Sequence, residues 1–265
     1  MENKRIAIIG CGNLGLTIAH GLLDDGFEAA ALTATRRNVN QLRDLAAKGV
    51  NVTADNLSAV NGSDVVVLAV KPYNVKPILM EISNVLDESK HILVCLATGI
   101  TLAELAEWSG KTLPTFRAMP NTAADVNESM TMICDNGAST EQRTYITSLF
   151  DKIGSTLYID ESLMEAATIL GACGIAYVLR FMRAMIQGGI EVGFDAKTAT
   201  AIVSQTMKGA SELIIQNGSH PESEIDKVTT PKGCTITGLN EMEHAGFSSA
   251  LIKGIVASYK KIEKD

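Results

Sequence analysis

Over residues 1–159, short β-branched apolar runs alternate with stretches whose apolar positions fall three or four residues apart. The runs 5–10 (RIAIIG), 29–34 (AAALTA), 64–70 (DVVVLAV), 91–97 (HILVCLA), 130–134 (MTMIC) and 155–159 (STLYI) read as strands. Several are apolar on both faces, as strands of a parallel sheet covered by helices must be. Between them, Leu14, Ile18 and Leu22 mark one buried helical stripe, Val39, Leu42 and Leu45 a second, and Ile146, Leu149 and Phe150 a third. The pattern predicts a doubly wound α/β domain over 1–159.

From residue 160 to 265 the two-residue alternation is absent. The stretches 160–170, 176–193, 195–216 and 235–264 carry helical periodicity, separated by short breaks at Gly, Asn or Asp. Ala, Gly, Ser and Thr dominate these helices and permit close helix approach, while their apolar surface is large for a domain of this length. An all-helical second domain that completes its core with a partner chain is expected, as a homodimer or an assembly of dimers.

The chain has 265 residues and is 46% hydrophobic, ample for a buried core. Its net charge of −7 has both signs interspersed, which gives no basic field for nucleic acid. Cys11, Cys95, Cys134, Cys173 and Cys234 are scattered, with no CxxC pair and no histidine at ligand spacing. Neither a structural metal nor a disulfide framework is expected, and a reducing cytoplasm is the expected compartment. The first residues, MENKRIAIIG, run from a few polar residues straight into a strand-like stretch, so no signal peptide is expected. No stretch reads as the roughly 20 apolar residues of a membrane span. These exclusions point to small-molecule chemistry.

IIGCGNLG places Gly10, Gly12 and Gly15 in GxGxxG spacing, after the first strand and at the start of the first helix. That reads as the dinucleotide-binding turn of a Rossmann-type sheet, the alternative being a merely structural glycine turn: Gly10 for the tight turn, Gly12 for close approach of a pyrophosphate, Gly15 for packing of helix on strand. The cofactor's ribose is read at the end of the second strand. An NAD-specific site carries an acid there, whereas this chain has Thr35, Arg36 and Arg37, which suit a 2′-phosphate or else form a solvated basic turn. NADPH is therefore favoured over NADH. LAVKP (68–72) and CLATG (95–99) follow two further strands at the ligand-binding edge; Lys71 reads either as a cofactor or substrate contact or as a surface lysine.

In order along the chain stand GCGNLG, TADN with Asn56, AVKP (69–72), MPNT (119–122), GIAY (174–177) and TPKGCTITGL (230–239). This series resembles the pyrroline-5-carboxylate reductases over essentially the whole chain. The resemblance implies that Gly10, Cys11, Gly12, Asn13 and Leu14, with Thr35, Arg36, Asn56, Ala69, Val70, Lys71 and Ala97, line NADPH. It implies that the loop from Thr230 holds the substrate carboxylate on Gly233, Cys234 and Thr235, with the Thr235 hydroxyl near the imine nitrogen. The reaction implied is hydride transfer to 1-pyrroline-5-carboxylate, giving L-proline. Glu161 resembles a substrate-proximal acid of the family; on its position alone it reads equally as a helix-start carboxylate.

Two stretches depart from the family pattern. Gly171-Ala172-Cys173-Gly174-Ile175-Ala176-Tyr177 stands where Ser-Gly-Ser-Gly-Pro-Ala-Tyr is usual, and Lys232 replaces a glycine. If that glycine needs a positive φ, Lys232 is strained. His20, His91, His220 and His244 fall outside the matched motifs and read as structural or surface residues. Met119-Pro120 is a candidate cis bond, trans being commoner. Two rivals remain open at this point: another NADP-dependent reductase acting on a related cyclic imine or a hydroxyacid, and a catalytically silent nucleotide-binding regulator.

Overall fold

A computed structural model describes residues 4–262. They form two compact units, dividing between Cys173 and Gly174. The first holds an eight-stranded sheet of order β3-β2-β1-β4-β5-β6-β7-β8: β1 (Ile6–Ile9), β2 (Leu32–Thr35), β3 (Asn51–Thr53), β4 (Val65–Leu68), β5 (Ile92–Cys95), β6 (Thr115–Met119), β7 (Ser129–Asp135) and β8 (Gly154–Tyr158). Around it run α1 (Asn13–Asp24), α2 (Arg43–Ala47), α3 (Asn56–Asn61), α4 (Pro72–Ile82), α5 (Leu102–Ser109), α6 (Thr140–Phe150) and α7 (Met164–Thr168). Strands β1, β4 and β5 bury all of their residues, the consequence of helices covering both faces. One apolar cluster contains Ile8, Ile18, Leu22, Leu42 and Phe150; the other contains Ile9, Val66, Leu79 and Leu105.

Several expectations are corrected in detail. β3 and β6 are additional strands. β3 has three residues, too few to show alternation; β6 (TFRAM) contains Arg117, which breaks the apolar pattern although the whole strand is buried. β7 runs antiparallel to β6, and β8 parallel to β7, so the sheet is not parallel throughout. Residues 29–31 form a 3₁₀ turn, and the strand expected from 29 begins at Leu32. Val39 also lies in a 3₁₀ turn and is exposed, whereas Leu42 and Leu45 are buried as expected. Met119-Pro120 is trans; the described residues contain no cis peptide.

The second unit consists of α8 (Gly174–Glu191), α9 (Ala196–Asn217), α10 (Pro221–Val228), α11 (Cys234–His244) and α12 (Phe247–Ile262). α10 was not expected; its sequence PESEIDKV is polar, and it is held at its start by His220, whose Nδ1 accepts from the Glu222 amide at 3.2 Å. Gly246, at φ 82°, separates α11 from α12, two helices that read as one run in the sequence. The end of that run, residues 263–264, lies outside the described residues. α8 packs on α9, and a Cβ at Gly189 would come within 3.2 Å of the Ala199 Cβ, so glycine permits this close approach.

The sheet ends at Tyr158, near the expected junction at 159/160, but the helical turns up to Cys173 pack with the first unit. A one-turn π-helix at Ile169–Cys173 carries α7 into α8. The continuous helical stretch Glu161–Glu191 is consequently long and apolar enough, by length and composition alone, to cross a bilayer. That corrects the expectation that no stretch approaches this length: the apolar segments on either side of Gly171 join into one helix.

Candidate functional site

The glycine turn sits at the carboxyl end of β1. Gly10 has φ +82°, and a Cβ there would lie 2.0 Å from Cγ1 of Val70, so both conformation and space demand glycine. At Gly15 a Cβ would press on Ile8, Ala69 and Cys11 at 3.2–3.3 Å, which sets how closely α1 packs on the sheet. At Gly12 it would meet nothing nearer than 3.9 Å. Gly12 is the N-cap of α1, which has neither a side-chain cap nor an acid in its first turn. The first amides of α1 are therefore left for a ligand, and the dipole of the helix favours an anion. A cradle of this shape fits the pyrophosphate of a dinucleotide.

The end of β2 is stitched to this turn. The Cys11 amide donates to the Thr35 carbonyl at 2.7 Å, the Gly10 amide to Thr35 Oγ1 at 3.1 Å, and Arg36 Nη1 to the Cys11 carbonyl at 3.1 Å. Thr35 Oγ1 in turn donates to Asn56 Oδ1 at 2.8 Å, at the first residue of α3. Arg37 is exposed beside them. Ala69, Val70 and Lys71 form the exit of β4, and Lys71 is the N-cap of α4; Ala97 follows β5 and is buried. Residues drawn from four places in the sequence thus meet at the carboxyl ends of the adjacent strands β2, β1, β4 and β5, the ligand-binding edge of an open α/β sheet. Asn13 and Leu14 occupy the first turn of α1 at the same edge.

Cys11 is fully buried, and burial pushes its thiol up to about 12 despite the nearby Arg36, so it remains a neutral space-filling group. Cys95 and Cys134 are likewise raised to about 11 by burial. All five cysteines are free thiols, and no metal-binding cluster of His, Cys, Asp or Glu occurs among the described residues.

In the helical unit, the Gly233 amide donates to the Thr230 carbonyl at 2.9 Å and closes a turn with Pro231 and Lys232 at its centre. Lys232 has φ 60°, the left-handed region that favours glycine, so the strain anticipated from its sequence position is present. Gly233 sits tightly in the turn: a Cβ would stand 2.6 Å from Thr230 Oγ1 and 3.0 Å from the Thr230 carbonyl oxygen, so a side chain there would force the threonine to shift. Gly233 is also the N-cap of α11, which has no side-chain cap and begins with Cys234 and Thr235, both exposed. The opening amides of α11 form a second anion-accepting helix start, this one flanked by hydroxyls and a lysine.

Glu161 has a structural engagement that its sequence position did not show. Its Oε1 accepts from the Leu102 amide at 2.7 Å, at the start of α5, and from Arg117 Nη1 at 3.1 Å. Arg117 Nη2 reaches Glu165 at 2.8 Å. Arg117 is only 3% exposed; burial pulls its pKa down, but Glu165 and Glu161 outweigh that and raise it. Sequence reasoning missed this triad. Its signal was an arginine in an apolar stretch bracketed by Pro114 and Pro120. Asn121, in the motif MPNT, is equally structural: its Nδ2 donates to the Gly171 carbonyl at 3.0 Å in the π-turn.

The histidines are also accounted for by local structure. His91 is buried, accepting from the Asp87 amide at Nδ1 (2.8 Å) and meeting the Val60 carbonyl at Nε2 (3.2 Å). His20 Nδ1 lies 3.3 Å from Lys48 Nζ, and His244 falls in the last turn of α11.

Comparison with known proteins agrees with this division. Residues 161–265 match the family "pyrroline-5-carboxylate reductase dimerisation", and residues 5–99 match "NADP oxidoreductase coenzyme F420-dependent". The first match supports homo-oligomerisation. Pyrroline-5-carboxylate reductase 1 of Dictyostelium discoideum is 40% identical over 98% of the chain, which spans half of that relative's length. Pyrroline-5-carboxylate reductase 2 of the same organism is 39% identical, covering 99% of this chain and 93% of the relative; the Arabidopsis thaliana enzyme is 35% identical, covering 98% and 95%. Among solved structures, a pyrroline-5-carboxylate reductase from Coxiella burnetii superposes with a TM-score of 0.92 at 28% identity, covering 99% of this chain and 98% of its own. The Plasmodium falciparum pyrroline carboxylate reductase with NADP bound superposes at 0.88 and 25% identity, covering 100% and 98%.

Proposed function

The chain belongs to the pyrroline-5-carboxylate reductase family, and from that premise we propose which of its residues carry the reaction. The reaction is the NADPH-dependent reduction of 1-pyrroline-5-carboxylate to L-proline. NADPH, when bound, supplies the hydride that the imine carbon accepts.

Gly10, Cys11, Gly12, Asn13 and Leu14 hold the pyrophosphate on backbone amides. Thr35, Arg36, Arg37 and Asn56 take the adenosine ribose and its 2′-substituent, and Ala69, Val70, Lys71 and Ala97 line the remaining path along the sheet edge. Thr230, Gly233, Cys234 and Thr235 hold the substrate carboxylate at the start of α11. The observation that carries this last reading is the uncapped helix start behind a closely packed glycine. A threonine hydroxyl is too weak an acid to act alone, so Thr235 orients the ring nitrogen and relays a proton rather than generating one. Glu161 contributes by position: with Oε1 spent on Leu102 and Arg117, it fixes the start of α5 against β6. The homo-oligomer is a homodimer or an assembly of dimers built on the helical unit, in a reducing cytoplasm that keeps the five thiols free.

The test is NADPH oxidation with 1-pyrroline-5-carboxylate, piperideine carboxylate and an open-chain 2-oxo acid. The five-membered imine should be turned over best. Inactivity on all three, with NADPH still binding, would favour the silent-regulator reading instead, and activity on the 2-oxo acid alone the hydroxyacid one. Thr235→Ala should lower kcat about 10- to 100-fold, the scale of one positioned proton-transfer group, without abolishing turnover.

A further inference from the structure

Glu81, on α4, belongs to none of the motifs described above, yet it ends a directed chain of hydrogen bonds that starts in the glycine turn. The Gly10 amide donates to Thr35 Oγ1 (3.1 Å), Thr35 Oγ1 donates to Asn56 Oδ1 (2.8 Å), and Asn56 Nδ2 donates to both carboxylate oxygens of Glu81 (3.3 and 3.4 Å). The direction is dictated at the Glu81 end. An ionised carboxylate only accepts, so the amide nitrogen of Asn56 must face it and the amide oxygen must face Thr35. A threonine hydroxyl has one proton, and that proton is then committed to Asn56. Toward a ligand, Thr35 Oγ1 can only accept.

This polarity bears on the ribose position. A 2′-hydroxyl can donate to Thr35 Oγ1; an ionised 2′-phosphate has only acceptors to offer and gains nothing from it. The same carboxylate stands behind Asn56, one side chain from Thr35, and its negative charge opposes the attraction of Arg36 and Arg37 for a 2′-phosphate. Resting on the cofactor reading above, we propose that Glu81 is a selectivity residue for the cofactor: acting through Asn56 and Thr35, it restrains the preference for NADPH and keeps NADH usable.

The test is a fluorescence titration of the apo-protein with NADPH and with NADH, in wild type, Glu81→Gln and Glu81→Lys. A glutamine can present either end to Asn56, which frees the Thr35 proton for a phosphate oxygen; a lysine reverses the charge as well. The ratio Kd(NADH)/Kd(NADPH) should rise about three- to five-fold in Glu81→Gln, the scale of a solvent-screened charge, and further in Glu81→Lys. Glu141→Gln removes the same charge from α6, which packs on β8 at the far edge of the sheet from β2, and should leave the ratio unchanged. An unchanged or falling ratio in both Glu81 variants, with both cofactors still bound, overturns the role of Glu81 alone. Failure of wild type to bind either cofactor overturns the site reading and this inference with it.

Discussion

In the α/β unit, β1, β4 and β5 bury every residue, and apolar clusters close over the sheet from both sides. In the helical unit, α8, α10, α11 and α12 bury none, and only Ala199 and Val203 of α9 are shielded. Val178, Leu179, Ile202, Leu251 and Val256 all stand more than 40% exposed. The difference does not come from a lack of apolar residues; α8 and α12 are amphipathic helices with complete apolar stripes. It comes from where the partner surface is. The first unit's helices find theirs in the sheet made by the same chain, whereas the stripes of the second remain for another copy, consistent with the match of 161–265 to a dimerisation family. Bulk apolar content therefore says little about whether a domain can stand alone; the geometry that lets apolar faces meet decides it.

Four experiments would break or sharpen this contrast. The largest effect is expected from charging the exposed stripes: Leu179→Asp with Leu251→Asp should cost association about 5 kcal/mol or more, since two side chains worth roughly 1.5–3 kcal/mol each are lost and two charges desolvated. Light scattering should then find monomer, while NADPH still binds the α/β unit. Persistence of the oligomer would show that these faces are not its interface.

Next in size, Arg117→Ala removes a buried side chain, leaves the partly exposed Glu161 and Glu165 without their cation, and should cost the first unit about 3 kcal/mol in urea unfolding, with the oligomer intact. A loss below about 1 kcal/mol would mean that the triad is not a structural anchor.

A pH experiment probes the closed core of the same unit. Burial lowers the pKa of His91. The unfolded chain takes up this proton from about pH 6.5 downward while the folded chain resists, so stability should be fully present above that pH and fall as pH drops through it. For one proton the slope is at most about 1.4 kcal/mol per pH unit, and His91→Gln should flatten it. A slope identical in wild type and variant would assign the acid sensitivity to other groups.

The smallest effect is expected at Lys232, in the helical unit. Lys232→Gly relieves roughly 1–2 kcal/mol of left-handed strain but adds glycine's unfolded-state entropy, leaving a net gain of about 1 kcal/mol or less. Thermal melting should show a small rise in Tm, and a fall would show that the lysine side chain itself holds the turn.

Much of the cofactor edge was legible in the primary structure because its determinants are local. GxGxxG imposes its own turn, and the apolar runs before it and at 64–70 and 91–97 are long enough to announce strands. Thr35, Arg36 and Arg37 could be placed because their distance from the glycine turn is set by one strand-helix-strand unit. β6 was not legible, since Arg117 is paid for by two acids more than forty residues later in the chain. Glu161 shows the same limit from the other side. As a carboxylate near a helix start it carried two equal readings, and its bonds to Leu102 and Arg117, both through one oxygen, could be seen only in the fold. α10 was missed because it is short and mostly polar, with only Ile225 and Val228 as apolar positions, too few to mark a stripe.

The order of residues by itself determined the α/β-then-helix division, the dinucleotide turn, the hydroxyl-rich loop at 230–235 and the doubtful position at Lys232, because each depends on spacing within one or two elements. Tertiary structure alone decided that β7 runs against β6, that Arg117 joins Glu161 and Glu165, that Lys232 sits at positive φ, and that Glu81 gives direction to the hydrogen bonds of Thr35 and Asn56. The two side-chain networks join groups 21 to 59 residues apart, which must meet with a particular orientation. Hydrogen bonds and ion pairs are directional and short-ranged, so their partners are chosen by the packed fold; hydrophobic periodicity, which only asks which side of an element is dry, can be read from the chain before it folds.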